Sequence, residues 1–154
     1  VVIEPITIGQ KNEIRKFYFI KEESISKLKK HWASGIGSFS KDHILNHKTK
    51  RFKVDETHID SINIQCLSIN ELIEKHSISR ITKLQIDAEG AEYEILNELD
   101  LDKVEINQIL FESKHFDGTF KEGNKLEFIL KKLERFDYKI TKIDNENMLA
   151  QKIV

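Results

Sequence analysis

The spacing of apolar and polar positions changes character near Ser68. Before it, extended patterns dominate. Val1 to Gly9 is β-branched and apolar, Gln10-Lys11-Asn12-Glu13 is a polar turn, and Ile14 to Ile20 is a second apolar run. This predicts a β-hairpin over residues 1–20 with a four-residue loop. Lys21 to Lys30 is polar and mixed. Trp32 to Ser40 (WASGIGSFS) holds two glycines and three serines and reads as a loop, and Lys41 to His47 fits a short helix. Ile62, Ile64 and Cys66 alternate as they would in a strand.

From Ser68 the period lengthens. Ser68-Ile69-Asn70-Glu71 has the form of a capping box, with Ser68 serving the free amides and Glu71 reaching back. The helix it opens runs to about His76. Ile81 to Asp87 predicts a strand, Ala91 to Leu99 a helix, and Val104 to Glu112 another strand. Lys125 to Phe136 places Leu126, Ile129, Leu130 and Leu133 at i, i+3, i+4 and i+7, the stripe of an amphipathic helix. Tyr138 to Ile143 and Met148 to Ile153, separated by Asp-Asn-Glu-Asn, predict a closing hairpin. Helices alternating with strands imply an α/β fold with parallel strands, to which the hairpin adds an antiparallel edge. The expected organisation is one domain over 1–154: a strand hairpin (1–20), a variable insert (21–67) and an alternating α/β portion (68–154).

Composition narrows the function. Charged residues make up 33% of the chain, yet the net charge is −1, so no field favours nucleic acid as a partner. The single cysteine, Cys66, excludes an intrachain disulfide and fits a reducing, cytoplasmic setting. No apolar stretch is long enough to span a bilayer, and none has the form of a signal peptide. The chain opens on Val1 and its only methionine is Met148, which predicts further residues before Val1 in the natural protein.

The candidate chemistry gathers at two strand ends. In an open α/β sheet, ligands bind outside the carboxyl ends of the strands. Asp87 stands at one such end, with Glu89 and Gly90 in the turn that follows. Gly90 permits a sharp turn and close approach. Asp87 and Glu89 read equally well as site residues or as caps of the next helix. Glu92 and Glu94 need no function, since acids in a first helical turn suit the macrodipole. At the second strand end, Glu112 and His115 are candidate general bases, although a partly exposed loop residue is the more common fate of a lone histidine such as His115. His43 and His47 share a helical face, but two ligands do not make a metal site, and none is expected.

The stretch "ITKLQIDAEGAEYEIL" resembles the most recognisable block of the FkbM-type methyltransferases, approximately L-K-I-D-V-E-G-A-E-x-x-V-L, with Gln85 and Ala88 replacing lysine and valine. "CLSINELIEKHSISRI", "IEPITIGQKNEIRKFYF" and "ILFES" resemble flanking elements of that family more weakly. The resemblance implies a class I, Rossmann-like methyltransferase sheet with helices on both faces. It also implies S-adenosylmethionine as methyl donor and a hydroxyl acceptor on a sugar, glycan or related metabolite. Asp87, Glu89, Glu112 and His115 become the catalytic candidates, and Gly9, Asp87 and Gly90 the donor-binding ones.

One departure matters. Such folds hold the donor with a glycine-rich loop after the first strand and an acid after the second, and neither is present here. Glu4-Pro5 mimics the second feature but runs straight into the predicted hairpin. Two strand-helix units, about 60 residues, are missing by this comparison. In the class I order 3-2-1-4-5-7-6 their loss opens the sheet between the first strand and the Asp87 strand. That predicts that this chain alone folds poorly, pairs with another chain across the gap or rearranges, and that it has little activity by itself. The alternative reading is a non-catalytic, methyltransferase-like binding or assembly module.

Overall fold

A computed structural model describes residues 1–28, 31–46, 54–88, 90–114, 116 and 123–153. Among these, in chain order, are β1 (Thr7–Ile8), β2 (Glu13–Ile20), α1 (Glu22–Leu28), β3 (Gly37–Ser38), α2 (Lys41–Asn46), β4 (Ile59–Leu67), α3 (Ile69–Lys75), β5 (Arg80–Ile86), α4 (Glu92–Glu98), β6 (Glu105–Glu112), α5 (Gly123–Arg135), β7 (Tyr138–Lys142) and β8 (Asn147–Lys152). The architecture is α/β, with two mixed sheets of order β1-β4-β2-β3 and β5-β6-β8-β7. The chain forms two units, one of residues 1–6 and 13–65, the other of 7–12 and 66–154.

The first unit is built around Ile20, Ala33, Ile44, Val54 and Ile59, with Tyr18, Ile25, Ile36 and Leu45 packed against them. β2 runs antiparallel to β3, pairing Phe19 with Gly37. A side chain at position 37 would meet the tip of the Phe17 ring, which would have to shift to admit it. Phe17 in turn meets Phe39 edge-on at 5.3 Å, and the Arg15 guanidinium lies 4.0 Å from the Phe39 centroid. Two local expectations are corrected. Glu22–Leu28 is a helix rather than a mixed polar stretch, with Glu22 and Glu23 in its first turn, where the dipole favours acids. The loop expected from Trp32 is also partly regular, since His31–Gly35 forms a 3-10 turn.

The opening hairpin is also corrected. Of Val1 to Gly9, only Thr7–Ile8 is strand, and it pairs in parallel with Cys66 and Leu67 of β4. β2 is bonded instead to β3 and β4. A β-branched run fits a pleated surface but does not specify which strand it will pair with. The register is fixed by tertiary contacts: Thr7 Oγ1 lies 3.0 Å from Cys66 Sγ, and the Gly9 amide donates to Leu67 O at 2.8 Å.

The second unit follows the predicted alternation. Ser68 accepts from the Glu71 amide at 3.1 Å and donates its own amide to Glu71 Oε2 at 2.7 Å, completing the capping box of α3. β5 and β6 are parallel with α4 between them in sequence, and β8 joins β6 antiparallel and carries β7 on its far side. β6 is an interior strand. Ile109 and Phe111 lie on one face and Ile106 on the other, and all three are buried, so both faces are covered. α5 buries Leu126, Ile129 and Leu133, the stripe its sequence predicts, each contributing about 2 kcal/mol by burial.

Polar groups tie these elements together. Lys132 on α5 donates to the carbonyls of Leu96, Asn97 and Leu99 at 3.0, 2.7 and 2.8 Å, closing the C-terminal end of α4. Burial pushes the Lys132 ammonium below the ordinary lysine value, against the opposing pull of Glu98 and Asp100. Tyr138 Oη donates to Ile106 O at 2.6 Å, and burial raises its phenol above the ordinary value. The closing hairpin turns on Asp144, which accepts from the amides of Glu146 and Asn147 at 2.8 and 2.7 Å.

Candidate functional site

The site is set by strand register. Ile86 pairs with Phe111 across the parallel β5–β6 ladder, so the next residue of each strand, Asp87 and Glu112, emerges at the same carboxyl end. One carboxylate oxygen from each of Asp87, Glu92 and Glu112 lies within 4.8 Å of the other two. Asp87 is exposed, Glu112 is half-buried and Glu92 is 0% exposed.

The turn after β5 explains this arrangement. Gly90 has φ 104°, a left-handed conformation that glycine adopts without a Cβ penalty. The Ala91 amide donates to Ala88 O at 3.3 Å and closes the turn. Glu92 then reaches back over it. Its Oε1 accepts from the Ala88 amide at 2.7 Å and its Oε2 from the Gly90 amide at 2.8 Å. A buried carboxylate is tolerable only when hydrogen-bonded in this way. Ala91, the N-cap of α4, makes no side-chain cap bond. The Asp87 carboxylate lies beside those of Glu92 and Glu112.

Glu92 is the residue that sequence reasoning missed. A first-turn acid looks the same whether it points to water or grips the preceding loop. The only signal was its place as the third acid of the Asp-x-Glu-Gly-Ala-Glu run.

Beyond β6, the chain is fastened by the β7–β8 turn. The buried Ser113 donates its amide to Glu146 O at 2.7 Å and its hydroxyl to the same oxygen at 3.3 Å. Lys114 and Glu146 form an ion pair. Phe116 packs between Tyr93 and Phe111, with centroid distances of 6.1 and 5.6 Å, and joins the start of α4 to the end of β6. Lys125 lies 4.8 Å from the Tyr93 centroid.

The structure thus brings together Asp87, Glu112 and Gly90 of the predicted set. Gly9 stands on the β1–β4 pair, buried, with its amide engaged by Leu67. Glu89, His115 and His47 lie outside the described residues. His43 is buried on α2. Among the described residues, the carboxylates of Asp87, Glu92 and Glu112 lie close enough together to offer oxygen ligands to a hard divalent cation.

Adjacent parallel strands joined through a crossover helix, with carboxylates at their carboxyl ends, give the second unit an α/β architecture. The chain matches the methyltransferase FkbM domain over residues 6–140, and it belongs to that family. The resemblance carried by "KLQIDAEGAEYEIL" is thereby confirmed, and the chain is of methyltransferase type. No curated protein and no solved structure matches it. Among the described residues, no helix is long and apolar enough to cross a membrane.

Proposed function

We propose that the chain acts in an S-adenosylmethionine-dependent O-methyltransferase of class I fold. The acceptor would be a hydroxyl of a sugar, glycan or related metabolite. The observation that carries this reading is the juxtaposition of Asp87 and Glu112 at one end of the β5–β6 ladder. The sheet order β5-β6-β8-β7 supports it, since it corresponds to the 4-5-7-6 half of the class I order.

Bound S-adenosylmethionine supplies an electrophilic methyl group on a sulfonium. The residues present suit such a ligand: Asp87 is an exposed acceptor for its hydroxyl or ammonium groups, and Gly90 leaves the turn without a side chain. Gly9 is a further donor-side candidate by resemblance. On this reading Glu112, half-buried beside Asp87, takes the proton as the acceptor hydroxyl becomes an ether oxygen. Glu89 and His115 are additional catalytic candidates by resemblance alone. No glycine-rich donor loop is among these 154 residues, so on this reading the chain by itself is inactive. The outer edge of β5 carries no strand among the described residues and suits pairing with a further one.

An isotope-labelled methyl-transfer assay on the full-length protein tests the reading. Asp87→Asn and Glu112→Gln are each expected to lower turnover about 100-fold. Unchanged turnover in both removes them from the catalytic list. A wild-type protein that neither binds the donor nor transfers its methyl group is a non-catalytic module instead.

A further inference from the structure

We infer that Glu92 is a positioning residue that fixes the Asp87–Gly90 turn and so sets Asp87 against Glu112. Its consequence for donor binding rests on the methyltransferase reading; its geometric part does not.

Glu92 is 0% exposed, and its two oxygens are taken separately by the amides of Ala88 and Gly90. These amides flank position 89, so one side chain holds the turn on both sides. The Ala88 amide belongs to the peptide plane that begins at the Asp87 carbonyl. Fixing that plane fixes ψ of Asp87 and the direction in which its chain leaves β5. The anchor is needed because Gly90, at φ 104°, sits where glycine has wide conformational freedom. Asp87 itself is exposed and gains no such restraint from burial.

The chemistry of the grip is specific. Both oxygens must accept, which a carboxylate does and an amide does not. Glu92→Gln keeps the volume but turns an NH2 group toward a backbone N–H. Glu92→Asp keeps the charge but is one methylene short of spanning both amides.

The test uses the full-length protein. In the wild type, NMR couplings through hydrogen bonds are expected between the Ala88 and Gly90 amide nitrogens and the Glu92 carboxylate carbon. In Glu92→Gln, Ala88, Gly90 or both are expected to exchange their amide protons at least tenfold faster, while Ile109 in β6 keeps its protection. Calorimetry with S-adenosylhomocysteine as probe should then show affinity at least tenfold weaker, with no rescue by Glu92→Asp. Absent couplings in the wild type overturn the inference. So does a Glu92→Gln turn that stays protected, or one whose loosening extends equally to Ile109. If Glu92→Gln does not fold, wild-type affinity in Glu92→Asp overturns it equally. A wild-type protein that does not bind the probe counts against the methyl-donor reading, and the amide measurements then decide the role of Glu92 alone.

Discussion

Asp87 and Glu112 are register neighbours, each one step beyond the paired Ile86 and Phe111, with carboxylate oxygens inside a 4.8 Å cluster. Like charges so close repel. Asp87→Asn is therefore expected to leave unfolding free energy within about 1 kcal/mol of wild type, or to raise it. Thermal denaturation run beside the transfer assay checks this. A large loss of stability would make Asp87 a structural residue.

Lys132 satisfies three carbonyls at the end of α4. Lys132→Met keeps the aliphatic stem but leaves those oxygens without the ammonium. A loss of about 2–3 kcal/mol is expected, the cost of removing a charged donor from partly buried acceptors. Urea unfolding should show a lower midpoint at unchanged slope.

α5 offers an internal control. Leu133 is 1% exposed, whereas Phe128 on the same helix is 54% exposed. Leu133→Ala should cost about 2–5 kcal/mol through lost burial and a cavity. Phe128→Ser should change stability by about 0.5 kcal/mol or less. Equal effects would contradict the packing described.

The β7–β8 turn has a pH signature. Amides of Glu146 and Asn147, together with the Asn147 side chain, hold the Asp144 carboxyl below its ordinary 3.8. A value lower in the folded state than in the unfolded one means stability that is present above 3.8 and lost as pH falls through the folded value. Wild type should exceed Asp144→Ala in stability at neutral pH, and the gap should narrow as acid is added. A gap that stays constant would show that Asp144 acts only by packing.

Local signals made much of the second unit legible. The four apolar positions of α5, the Ser68–Glu71 box and the turn residues at Asp144 each act within a few residues of themselves. The Asp87 and Glu112 strand ends followed from the alternation. Non-local or ambiguous features were hidden. Thr7 pairs with Cys66, 59 positions away, and no run of β-branched residues names so distant a partner. Glu22–Leu28 carries only two apolar residues, Ile25 and Leu28, too few to show a helical period. Glu92 was hidden because its burial depends on how the loop before it folds back.

The two carboxylates hang from unequal supports. β6 lies between β5 and β8, whereas β5 closes its sheet on one side among the described residues. Interior strands give way only when the whole unit melts, and marginal ones fray sooner. Glu112 thus ends an interior strand, whereas Asp87 follows a strand that is paired on one side among the described residues and leads into a turn held by the buried Glu92. On the proposed reading, a ligand at this strand end would meet one carboxylate carried by an interior strand and one that follows the strand closing the sheet among the described residues.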